Sequence, residues 1–213
     1  MTNEQYYELI VPYQDALNLL MARLDVLNHS IYSTDVPKPI HNIQFRIKKK
    51  QSIENKLERK GMNGSFTAAK ENLRDIAGIR VICYFVRDVE QLVDNLRGQR
   101  DLIVIQERNY IQDPKSNGYR SYHIILGIPV YYMERTEYYP VEVQIRTISM
   151  DFWASMEHRV CYKQERRDKQ EIQAMLKQYA ELLGEMEKGF ERLNSEELEK
   201  SASGTGNSEK ASQ

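Results

Sequence analysis

Cysteine is scarce in this chain of 213 residues: there are two, Cys83 and Cys161, and they form no Cys-x-x-Cys pair. That excludes a disulfide framework, and no His/Cys spacing matches a structural zinc site. Both thiols lie in apolar segments and read as reduced core residues of a cytoplasmic protein. An excess of charge is also missing. With 30 basic residues against 31 acidic ones the net charge is −1, so overall charge gives no nucleic-acid binder and any electropositive site must be local. Long apolar runs are absent too. The longest stretch free of Asp, Glu, Lys and Arg, residues 121–133, is too short to span a membrane and contains His123. The first residues lack the basic-then-apolar order of a secretory signal. There are no internal repeats, no GxxxxGK[ST] loop, no kinase catalytic loop and no GxSxG elbow, which removes the commonest phosphate and acyl chemistries.

What is present is patterned. Ile10, Tyr13, Leu17, Leu20, Leu24, Leu27 and Ile31 alternate in threes and fours, one apolar stripe of a helix with Pro12 in its first turn or at a kink. Pro37 and Pro39 end that segment. A short helix with Ser52 as N-cap and Gly61 as stop follows, then another near 67–73. The run Ile79–Val86 reads as a central strand and 88–97 as a helix. Strands are expected near 102–107, 121–131 and 141–147, and a helix over 149–162 with Phe152, Trp153, Met156 and Val160 turned inward. A last amphipathic helix over 168–193 carries Ile172, Met175, Tyr179, Leu182, Met186, Phe190 and Leu193. The Ser/Gly/Glu/Lys-rich tail from Ser195 has too little apolar surface to order itself. The expected fold is α+β, a mixed β-sheet flanked by helices, with long N- and C-terminal helices whose stripes suit packing on the domain or on a second copy.

Within that frame, residues 141–147 are unusual. Val141, Val143 and Ile145 alternate with Glu142, Gln144 and Arg146, so a strand there has one aliphatic face and one of carboxylate, amide and guanidinium. Upstream, Arg46, Lys48, Lys49, Lys50, Lys56, Arg59 and Lys60 put seven cations in fifteen residues. They form either a solvated basic face or a polyphosphate cradle. Arg74-Asp75-Ile76-Ala77-Gly78-Ile79-Arg80 leads into a strand. Asp75 there either pairs with Arg74 or Arg80, or is a hard oxygen ligand. Mg²⁺ takes one or two carboxylates plus substrate phosphates, so Asp75 and Glu142 suffice for it. Tyr119, between Gly118 and Arg120 in a basic loop, offers a stacking face to a base. Two carboxylates, two groups of cations and an aromatic platform suit the joining of two nucleotides. Unit charges ~6 Å apart repel by roughly 3 kcal/mol at an effective dielectric near 20, so polyphosphates need neutralising before they can meet.

Taken together, Arg46-Ile47-Lys48, Arg74 to Arg80, Gly118-Tyr119-Arg120-Ser121-Tyr122-His123, Glu142 to Thr147, Trp153 and Glu157-His158 resemble the synthetase domain of RelA/SpoT-type alarmone synthetases, over about residues 5–165. The chain length resembles that of the single-domain small alarmone synthetases. The resemblance implies a nucleotidyltransferase-like fold and transfer of pyrophosphate from ATP to the ribose 3′-OH of GDP or GTP, giving (p)ppGpp and AMP. It implies that Arg46 and Arg80 sandwich the adenine and that Lys48, Ser52, Lys56 and Arg59 hold the ATP phosphates. Asp75 and Glu142 bind Mg²⁺, with Glu142 also taking the 3′-OH proton. Tyr119 stacks on guanine, His123 and Gln144 lie nearby, and Lys115 or Arg108 reaches the acceptor phosphates.

None of the four histidines precedes an Asp, so the His-Asp pair of the family's hydrolase domains is missing and synthesis alone is expected. The resemblance also implies a homotetramer formed through the terminal helices. The corresponding division is an N-terminal helix (1–35), a catalytic domain (36–165), a C-terminal helix (166–194) and a disordered tail (195–213). Two other readings stand beside it. One is a regulatory module binding nucleotides or single-stranded RNA, with RNA binding also standing as a secondary role beside synthesis. The other is a nucleotidyltransferase that releases pyrophosphate instead of AMP.

Overall fold

The computed structural model describes residues 1–30, 38–161 and 169–204. The boundaries expected at 35/36 and 165/166, and residues 205–213, lie outside them. The chain divides into two compact units. The first comprises Met1–Pro114 and Arg120–Ile148, the second Lys115–Tyr119 and the chain from Ser149 onward.

The first unit is built on one mixed five-stranded sheet. Its strands are β1 (Ile40–Ile47), β2 (Ala77–Cys83), β3 (Ile103–Asn109), β4 (Tyr122–Tyr131) and β5 (Thr136–Thr147), in the order β1-β2-β5-β4-β3. Only β2 and β5 run parallel. The central position expected for Ile79–Val86 belongs to β5, the longest strand. β2 is its neighbour and stops at Cys83, because α4 (Val86–Arg97) begins almost at once, its Asp88 carboxylate accepting from the Phe85 N–H at 2.9 Å.

Helices α1 (Asn3–Ser30) and α4 cover one face of the sheet. Tyr13, Leu17, Leu20 and Leu24 of α1 and Val89, Leu92 and Leu96 of α4 share a core with Val81, Val143, Ile145, Ile124 and Leu126. The α1 stripe is thus spent on this unit's own core. The helix starts early enough to place Pro12 in its interior; there the ring forfeits one backbone hydrogen bond, and the burial along the rest of the stripe offsets that loss. Arg23 ties α1 to the approach to β3 by pairing with Asp101 and donating to Gln99 Oε1 at 2.8 Å.

Two local expectations change. The stretch between Pro39 and the basic run, read as no element, is a strand, β1, which reaches into that run only at Arg46; at the sheet edge its positions are mostly exposed and show no clean alternation. Ser52 is not an N-cap: α2 (Lys50–Arg59) starts two residues earlier from Lys49, which makes no side-chain cap, and Ser52 sits in its first turn. Gly61 does end that segment, with φ of +72° and the Gly61 and Met62 N–H groups returned to Glu58 and Leu57. Helix α3 (Phe66–Asn72) is capped by Ser65.

In the second unit α5 (Ile148–Cys161) and α6 (Lys169–Gly204) hold a small cluster of Trp153, Leu176 and Ala180. The Trp153 indole donates to the Leu176 carbonyl at 2.7 Å. The buried side of α6 is therefore Leu176, Ala180 and Glu187. The stripe expected to pack, from Met175 through Tyr179, Leu182, Met186 and Phe190 to Leu193, is exposed. Phe152 and Met156, expected inward, are exposed as well, and so is Cys161. Cys83 is buried as expected, and burial pushes its thiol pKa up. The helical assignment of α6 runs to Gly204, past Ser195.

Candidate active site

The face of the first unit's sheet opposite α1 and α4 is where the chemistry-bearing side chains gather. Strand periodicity sends Val141, Val143 and Ile145 of β5 into the core and leaves Glu142 and Gln144 on the other side. Register does the rest. Arg46 on β1 is opposite Gly78 on β2, which is opposite Glu142 on β5. One step along, Gln44, Arg80, Gln144, His123 and Arg108 form a row across all five strands.

A groove on this face is lined by Gln44, Phe45, Arg46, Gly78, Ile79, Arg80, Glu142 and Gln144. Gly78 lies between Arg46 and Glu142 in the register, and without a side chain there the backbone is open to close approach by a ligand. Arg46 is exposed and Arg80 half-buried, and the register sets them diagonally on neighbouring strands. Arg80 reaches Gln44 Oε1 at 3.5 Å. His123 approaches Glu142, Nδ1 to Oε1 at 3.9 Å, and its ring meets Tyr110 edge-on at 5.2 Å.

A second cluster stands where β1 runs into α2. Lys48 and Lys56 both bind Asp75 Oδ2, Lys56 at 2.6 Å. Lys48 is fixed by its own backbone, its N–H donating to Ile76 at 2.8 Å and its carbonyl accepting from the Tyr6 hydroxyl at 3.2 Å. Asp75 thus pairs, but with these two lysines instead of Arg74 or Arg80. Burial raises its carboxyl pKa, yet the two lysines outweigh burial and hold it below the usual carboxylate range. Burial likewise pulls the Lys48 ammonium pKa down, against the pull of Asp75.

The other oxygen, Asp75 Oδ1, is buried without a hydrogen-bond partner among the described residues. An orphaned carboxylate oxygen is a donor suited to a hard cation, so Asp75 fits Mg²⁺. The described residues hold no group of three or more His, Cys, Asp or Glu able to bind a metal. Such an ion would therefore take most of its ligands from substrate and water. Ser52 and Arg59 are exposed on α2, with Arg59 Nε on the Asn55 carbonyl.

Tyr119 and Lys115 belong to the second unit. The Tyr119 ring is half-buried against the Trp153 cluster, edge-on to the indole at 6.3 Å, with Lys115 Nζ 4.8 Å from its centroid. It is less open than a loop between Gly118 and Arg120 suggests. Two groove residues on β1 were not among the site residues read from sequence. Gln44 and Phe45 sit on β1, whose pattern concealed it. Arg146, placed by alternation on the wet face, is buried.

Residues 45–167, more than half of the chain, match the family described as a region found in RelA / SpoT proteins. The GTP pyrophosphokinase YwaC of Bacillus subtilis (strain 168) is 41% identical over 175 residues, covering 82% of this chain and 83% of that one. The GTP pyrophosphokinase YjbM of the same strain is 30% identical over 202 residues, 95% of this chain and 94% of that one. Among solved structures, small alarmone synthetase 1 from Bacillus subtilis bound to its product pppGpp superposes with a TM-score of 0.78 at 30% identity, covering 91% of this chain and 98% of that one. The small alarmone synthetase 2 structure from the same organism gives 0.76 at 36% identity, with 90% and 98% covered. The chain belongs to the RelA/SpoT family, and its architecture is that of the small alarmone synthetases.

Proposed function

We propose that this chain is a Mg²⁺-dependent (p)ppGpp synthetase that transfers pyrophosphate from ATP to the 3′-OH of GDP or GTP and releases AMP. The observation that carries the reading is the register bringing Arg46, Arg80, Glu142 and Gln144 around one groove floored by Gly78. The two guanidinium groups on this groove offer planar cationic faces on which an adenine can stack. Lys48, Lys56, Ser52 and Arg59 supply donors for the ATP phosphates, and Lys115 or Arg108 for those of the acceptor. Glu142, with His123 beside it, takes the 3′-OH proton, and the freed oxygen attacks the β-phosphorus of ATP. Asp75 and Glu142 would hold Mg²⁺, whose charge, when bound, neutralises the phosphate oxygens. Tyr119 stacks on the guanine by whichever ring face Lys115 leaves open. Most of the catalysis is positioning and charge neutralisation.

We further propose a homo-oligomer, a tetramer by family analogy, formed through α6. Its support is the exposed stripe Met175–Leu193 together with Phe152 and Met156, which line one apolar groove with Tyr179 and Leu182. A cytoplasmic setting fits the nucleotide substrates and the two free thiols. Among the described residues no helix is long and apolar enough to cross a membrane. Purified protein with ATP, GTP and Mg²⁺ is expected to yield AMP in equal amount to a guanosine nucleotide carrying a 3′-pyrophosphate. Free pyrophosphate in place of AMP would make it a nucleotidyltransferase. No turnover with GDP, GTP or GMP, together with RNA affinity that falls steeply with salt, would make it a binding module.

A further inference from the structure

Arg146 is a buried charge for which the proposed reaction has no use. It is 5% exposed, one step along β5 from Gln144. A guanidinium can only donate hydrogen bonds. Arg146 Nε donates to Ser121 Oγ at 3.3 Å, and Nη2 donates to Gln144 Oε1 at 3.1 Å. Ser121 is fully buried, and its hydroxyl donates to the Ile145 carbonyl at 3.3 Å.

Those roles settle which way the Gln144 amide faces, which shape alone would leave open. Its oxygen must meet the donor-only Arg146, so its NH₂ faces Glu142, with Nε2 3.5 Å from Glu142 Oε2. Turned over, the amide would set two donors against each other at Arg146 and two acceptors against each other at Glu142. Only one orientation satisfies both ends.

We propose that Arg146 is a positioning residue: anchored on Ser121, it locks the Gln144 amide so that its N–H holds the Glu142 carboxylate in the orientation that receives the 3′-OH proton. The inference deepens the reading of Glu142 as the base and rests on it. An uncharged apolar residue at 146 would fill the same space yet leave the amide free to rotate.

The test is a double-mutant cycle of Arg146→Lys and Gln144→Ala, read as kcat and as affinity for a non-hydrolysable ATP analogue measured without turnover. Lysine keeps the charge but cannot reach Ser121 and Gln144 together. Arg146→Lys is expected to lower kcat roughly tenfold, the scale seen when a hydrogen-bond partner of a site carboxylate is removed. Analogue affinity should stay within about twofold. In the Gln144→Ala background the same exchange should cost less than about twofold, since the group through which Arg146 acts is gone. Equal losses in both backgrounds, or a parallel loss of analogue binding, would overturn the proposal and leave Arg146 a structural tie. If the lysine protein does not fold, Arg146→Met, which keeps the side-chain stem but offers Gln144 no N–H, takes its place in the same cycle. Glu142→Gln is run alongside. Near-normal turnover there removes the base itself, whereas a dead Glu142→Gln with an additive cycle removes only the role of Arg146.

Discussion

A single carboxylate oxygen that binds two lysines while its twin has no partner among the described residues makes Asp75 the most consequential residue of the basic cluster. Its folded-state pKa lies below the ordinary value, so the pair's contribution to stability is present above the unfolded pKa and is lost as pH falls through the folded one. Asp75→Asn is expected to lower unfolding stability by about 1–2 kcal/mol at pH 7, a figure reduced for the partial exposure of Lys56. Urea titrations should show this difference shrinking as pH drops below about 4; a difference that stays constant into acid would mean that the ion pair is not its source. At Glu142 the expectation is kinetic. Glu142→Gln keeps shape and one acceptor but cannot take a proton, so kcat should fall by at least about a hundredfold while binding of a non-hydrolysable ATP analogue is largely kept. The paired carboxylate and amide were legible in sequence because alternation on a strand is a two-residue rule. Burial of Arg146 was not, since alternation says which face a side chain takes and not what covers it.

At the scale of elements, position in the sheet decided what periodicity could not. β1 is an edge strand, so its exposed positions outnumber its buried ones and its sequence shows no two-residue alternation. Ser52 has the right identity for an N-cap, but the chain leaves β1 already turning, and the helix begins before it. Gly118 is the clearest case of a residue required by its element. Its φ of +92° disfavours a side chain, and a Cβ there would lie 2.8 Å from Ala180 Cβ and 2.9 Å from Lys177 Cα. Gly118→Ala should therefore force the 115–119 segment off α6, at a cost of about 2–3 kcal/mol. Thermal unfolding checks it, and a change within the error of the wild-type midpoint would mean that the segment yields without cost.

For the whole molecule the two terminal helices, so alike in sequence, have opposite fates. The α1 stripe is covered by the sheet, while the α6 stripe remains exposed, with Phe190 at 61%. An apolar surface of that length on a helix calls for a partner. Leu182→Glu combined with Phe190→Glu is expected to halve or quarter the mass seen by light scattering while leaving the circular dichroism unchanged; an unaltered mass would place the contact elsewhere.

Sequence by itself determined the elements with strong periods, the mixed α+β order, and the residue types of the site, because amphipathic spacing and the pairing of cations with carboxylates are local properties of a chain. The motifs that mark the family were likewise visible there. Only the tertiary structure decided the neighbours: that Gly78 separates Arg46 from Glu142, that Asp75 takes Lys48 and Lys56, and that Arg146 turns inward to Gln144. Each depends on strand register and on the packing of residues far apart in the chain, and no local pattern encodes a register between β1, β2 and β5.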